Sequence, residues 1–74
     1  MNNVRRKEIY KVVTEIENLL DRLEELKDEE QDYIDNMPEN LQMSDRAMEA
    51  EDNVETMDDA ISDIRDALDN LGGF

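Results

Sequence analysis

The stretch Asn36–Ser44, NMPENLQMS, decides the fold of this chain, because it separates two runs of heptad-spaced apolar residues. Pro38 disfavours helical backbone at Met37 and cannot continue a helical hydrogen-bond ladder. Asn36 and Asn40 suit a turn, since their side chains bond nearby backbone. Ser44 is a good N-cap, and Asp45 sits well beside the positive end of the helix dipole that would follow. A helix stop, a turn and a helix start in quick succession predict a hairpin.

Upstream of the turn, Ile9, Val12, Ile16, Leu19, Leu23, Leu26, Tyr33 and Met37 follow alternating steps of three and four, with only Glu30 breaking the stripe. This is a heptad a/d pattern. Val13, Leu20 and Ile34 occupy e positions and widen it beyond the seam of a simple two-stranded coil. Downstream, Met43, Ala47, Ala50, Val54, Met57, Ile61, Ile64, Leu68 and Leu71 keep the same alternation, with Ala60 and Ala67 at flanking g positions. The expectation is an all-α fold: one domain over residues 1–74, with helix 1 over about 3–36, a turn at 37–43 and helix 2 over about 44–71. Gly72 and Gly73 stand where a helix-ending glycine is expected. The coiled-coil-like antiparallel hairpin would pack Ile16, Leu19, Leu23 and Leu26 against Val54, Met57, Ile61, Ile64 and Leu68.

A chain of 74 residues without cysteine or a Cys/His set has no disulfide or zinc site to supplement its small core. Oligomerisation is the remaining staple. The widened stripes would be covered by pairing two hairpins into a four-helix bundle, so a homodimer is expected. No signal-peptide pattern and no apolar run of membrane-spanning length occurs, which leads us to expect a cytoplasmic protein with no membrane partner.

The residues of common catalytic chemistry are missing. With no histidine and no cysteine, the usual nucleophile–base pairs and transition-metal ligand sets cannot be assembled. The only glycines are Gly72 and Gly73, so neither a phosphate-binding loop nor a glycine-centred calcium loop is present. No catalytic residue, metal site or cofactor is expected, and the chain does not read as an enzyme.

Charge is its dominant feature: 22 acidic residues against 8 basic ones, for a net −14. Residues 1–11 carry +3 through Arg5, Arg6, Lys7 and Lys11 against Glu8, and the remainder carries −17. In an antiparallel hairpin the basic start would lie beside Asp63, Asp66 and Asp69. Every f position of helix 2 is an aspartate: Asp45, Asp52, Asp59 and Asp66. Glu55 and Asp63 flank them, and Asp21 and Asp28 hold f positions in helix 1. Aspartate is a mediocre helix former, and like charges four residues apart cost about 0.2–0.5 kcal/mol per pair. Helix stability therefore does not explain the choice. Net −17 along a hairpin of roughly 45 Å is one charge per about 2.6 Å. Two hairpins side by side halve that spacing, which brackets the one charge per about 1.7 Å of duplex DNA. These acids point to a protein partner with a basic surface and away from direct nucleic-acid binding. Tyr10 and Met48 lie outside the apolar stripes, at b positions, and are further candidate contacts.

The segment DYIDNMPENLQMSDRAMEAEDNVETMDDAISDIRDAL resembles small acidic two-helix proteins of Gram-positive bacteria and their phages, chiefly at Asn36–Gln42 and Ser44. In these, a segment like NMPENLQ followed shortly by serine links two acidic helices. The resemblance implies the hairpin and a phage-like setting, in the host cytoplasm, but no site residues. By analogy with small acidic phage proteins as a class, the expected function is inhibition of a host nucleic-acid-binding enzyme or defence protein by imitation of DNA. The alternative is a structural or assembly hairpin that packs through its apolar stripe. A solvated acidic surface alone is compatible with the second reading.

Overall fold

The computed structural model describes residues 1–74 as two long helices joined by a short turn. Helix α1 spans Asn3–Asp35 and helix α2 spans Asp45–Leu71, with a single 3₁₀ turn at Glu39–Leu41 between them. No helix is long and apolar enough to cross a membrane. The hairpin is a rod of 59 × 15 × 11 Å.

Local chemistry accounts for the boundaries. Basic residues crowd the start of α1, where the helix dipole disfavours them. Asn2 offsets this by accepting a 2.7 Å hydrogen bond from the Arg5 amide through its side chain. At the other end Pro38 adopts φ −56° and ψ 146°, an extended conformation that turns the chain out of the helix. Its carbonyl then accepts the Leu41 amide at 2.8 Å. The Ser44 hydroxyl accepts the Ala47 amide at 3.3 Å and donates to the Leu41 carbonyl at 2.6 Å, joining the turn to the first turn of α2.

The end of α2 departs from expectation. Gly72 has φ −71° and ψ −9°, and no glycine has positive φ, so the left-handed glycine cap is not formed. The helix instead tightens: the Gly72 amide donates to the Leu68 and Asp69 carbonyls, and the Gly73 amide to that of Asn70. Carbonyls of the last turn are satisfied without a change of handedness.

The two helices bury Leu20, Ile34, Ala47, Ala50, Ile61 and Leu68, and no polar or charged residue. Leu20, Ile61 and Leu68 form the centre of the core, packed by Val13, Ile16, Leu23 and Ile64. Toward the turn the covered positions of α2 are the alanines at 47 and 50, whose small side chains bring the helices close. Helix α2 therefore presents its a/d seam. Helix α1 does not: its covered positions are Ile9, Val13, Ile16, Leu20, Leu23, Lys27, Glu30 and Ile34, an a/e seam, with Glu24 partly covered at its b edge. Leu19 and Leu26, expected in that seam, are 70% and 41% exposed. The stripe of α1 is three positions wide and α2 covers only two of them. Rotation toward e lets Lys27 reach Asp58 and Glu24 reach Arg65, which turns the d positions outward.

Candidate partner-binding surfaces

The outer side of α2 carries Asp45, Asp52, Asp59 and Asp66, all exposed, each about 10.5 Å from the next along the axis. Glu55 and Asp63 are exposed beside them. The four ion pairs of the hairpin are Arg22–Glu25, Lys27–Asp28, Lys27–Asp58 and Arg65–Glu24, so none of these six acids has a cation within 4.0 Å. This is a ridge of uncompensated carboxylate. It points away from α1 because the f position of a helix lies nearly opposite an a/d seam.

Asp21 and Asp28, the two candidates on α1, do not join that ridge. Asp28 lies 4.0 Å from the Lys27 ammonium. Asp21 lines a shallow recess of about 270 Å³ with Glu17, Leu20, Arg65, Leu68 and Asp69. Both belong to the ion-paired side of the hairpin, where the rotation of α1 has carried its f positions. On that side Asp58 holds the Lys27 ammonium above the ordinary lysine value, mainly through their hydrogen bond. Glu24 raises Arg65 in the same way. The eight acids grouped by periodicity thus divide between two surfaces.

The basic start behaves differently from expectation as well. Arg5, Arg6, Lys7 and Lys11 have no acidic partner within 4.0 Å, and no bridge to Asp63, Asp66 or Asp69 forms. Tyr10, expected on the surface, is exposed there and donates a 2.6 Å hydrogen bond to the main-chain oxygen of Phe74.

Opposite the ion-paired side lies a surface that periodicity assigned to the core. Val12, Leu19, Leu26 and Tyr33, the d positions of α1, form an exposed line with Leu19 at 70% and Val12 at 52%. Beside Leu19 runs an entirely apolar groove of about 140 Å³ lined by Ile16, Leu19, Leu20, Leu23 and Ile64. The seven-residue spacing of these d positions was readable in the sequence, but it does not say which flank of a wide stripe stays open. At the turn, Tyr33, Met37 and Leu41 with Arg46 line a cleft of about 550 Å³.

Chemically, the hairpin offers charge and apolar contact. No three carboxylates converge in a geometry that could hold a metal ion. Ile16, Leu23, Val54, Met57 and Ile64 are half-buried and Ile61 and Leu68 buried, so they hold the scaffold under both surfaces. Compared with known protein families, with curated proteins and with solved structures, the chain matches none.

Proposed function

We propose that this chain is a non-enzymatic interaction protein that acts as a pair of hairpins. Its α2 ridge occupies the basic, nucleic-acid-binding surface of another protein and thereby inhibits it. The observation that carries this reading is the unpaired aspartate at every f position of α2, held on a rigid helix at one-heptad spacing. A surface serving only solubility gains nothing from concentrating like charges where they repel.

The magnitude supports the reading once corrected for the observed length. Net −14 over 59 Å is one charge per about 4.2 Å, and two chains side by side reach about 2.1 Å. Duplex DNA has about 1.7 Å. A single hairpin is thus a dilute imitation of a phosphate backbone and a pair is a close one. The phage or mobile-element setting, and with it an anti-defence role in a host cytoplasm, rests on the resemblance of the inter-helix segment.

The test is capture of proteins from a Gram-positive lysate on immobilised chain, followed by elution with duplex DNA. Bound proteins should be displaced by DNA and by salt, because the Debye length falls from about 10 Å at 0.1 M to about 3 Å at 1 M. Changing Asp52, Asp59 and Asp66 together to asparagine should remove most of the capture. Capture that survives both high salt and the asparagine changes would sink the mimicry. A second reading, an assembly protein that packs through apolar contact, is favoured by the exposed line Val12, Leu19 and Leu26. It predicts the opposite pattern: silent aspartate changes, and loss of binding when that line is made polar.

A further inference from the structure

Helix α1 leaves an apolar line uncovered over its whole middle, and three properties of the chain bear on what covers it. The first is area. The hairpin exposes 5819 Å², whereas a compact monomer of 8.7 kDa exposes about 4,700 Å². The excess of about 1,100 Å² exceeds the roughly 800 Å² per partner of a standard interface. The second is symmetry. Val12 and Leu26 lie seven residues either side of Leu19, the most exposed member of the line. A two-fold axis through Leu19 therefore sets Leu19 against itself and Val12 against Leu26. The same operation places Arg5 over Tyr33, a cation beside an exposed ring.

The third property is charge. The ion pairs Lys27–Asp58 and Arg65–Glu24 mark the level at which the rod divides. The turn half, residues 24–62, holds 15 acids and two bases, for −13. The open half, residues 1–23 and 63–74, holds seven acids and six bases, for −1. A parallel pair stacks the two −13 halves on each other. An antiparallel pair sets each −13 half against a −1 half and brings Arg5, Arg6 and Lys7 to the partner's acidic stretch around Asp32. Charge thus selects the orientation and apolar burial supplies the affinity.

From these observations we infer that a second copy of this chain covers the d positions of α1, packed antiparallel about a two-fold axis at Leu19. The inference gives a geometry to the pairing on which the proposed function rests. It also explains why Leu19 and Leu26 are apolar although α2 leaves them exposed.

The chain has no cysteine, so single cysteines report this geometry cleanly. With a short bis-maleimide, Leu19→Cys should give a covalent dimer. A mixture of Val12→Cys and Leu26→Cys should cross-link far more than either variant alone. Self-cross-linking of Val12→Cys and of Leu26→Cys, with none in the mixture, would establish a parallel pair and overturn the inference. So would a native chain of single mass at 100 µM by light scattering. Leu19→Glu should weaken the pair on the order of 100-fold, the penalty of burying an unpaired carboxylate. If that variant loses its helix, the cysteine results alone decide. Salt separates this inference from the mimicry: pairing of two −14 chains should tighten as salt rises, whereas capture of a basic protein should weaken. A parallel pair would overturn this geometry and leave the mimicry standing, and salt-insensitive capture would sink the mimicry and leave the geometry standing.

Discussion

Lys27 of α1 donates a 2.8 Å hydrogen bond to Asp58 of α2, joining residues 31 apart in sequence. Lys27 occupies an e position in the seam, among apolar neighbours two turns to either side, and its stem is largely covered. The pair forms with α1 rotated onto its a/e seam. Lys27→Glu should lower the thermal midpoint, and adding Asp58→Lys should restore part of the loss, as read by circular dichroism.

The same pair makes an alkaline prediction. Asp58 raises the Lys27 ammonium above the ordinary lysine value of 10.5, mainly through their hydrogen bond. A cation whose folded value is raised stabilises fully below its unfolded value, and that contribution disappears as pH climbs through the folded value. The thermal midpoint of the native chain should therefore fall above pH 10.5. In Lys27→Met the fall should be smaller, and equal slopes for the two proteins would refute the assignment.

Neighbouring leucines should behave in opposite ways. Leu20 is 4% exposed in the core and Leu19 is 70% exposed. Leu20→Ala should cost about 2–5 kcal/mol, comparable with the whole stability of a chain this size. At high dilution, Leu19→Ala should leave the urea midpoint nearly unchanged. Equal losses at that dilution would mean that α1 uses its a/d seam after all.

Ser44 joins the turn to α2 through two hydrogen bonds. Ser44→Ala should cost about 1 kcal/mol and speed amide exchange at Ala47. Replacing Pro38, Glu39 and Asn40 together by alanine removes the helix stop, and small-angle scattering should then detect opened or domain-swapped assemblies. Unchanged scattering would place the turn under the control of tertiary packing.

Asp59 repels Glu55 and Asp63, each four residues away on α2. Asp59→Asn should stabilise the hairpin by about 0.2–0.5 kcal/mol for each repulsion removed. The gain should shrink in high salt, measured as the difference in urea midpoints at 0.05 and 1 M sodium chloride.

What the sequence determined by itself is local. The stop at Pro38, the cap at Ser44 and the heptad runs on either side are short-range steric and hydrogen-bonding effects, and they set both helices and the turn between them. The a/d seam of α2 was equally legible, because its large apolar side chains stand at a and d and only the small Ala60 and Ala67 flank them. The seam of α1 was not legible. Its apolar stripe covers d, a and e, and the period does not say which flank is buried. Lys27–Asp58 and Arg65–Glu24 accompany the chosen flank across 31 and 41 residues, a pairing that no local period encodes. The tertiary structure therefore decided that Leu19 and Leu26 face outward and that Asp21 and Asp28 part from the α2 ridge. It also left Arg5, Arg6 and Lys7 without an ion-pair partner. A helix's period says which residues share a face, but only its partner's shape and charge decide which face is covered.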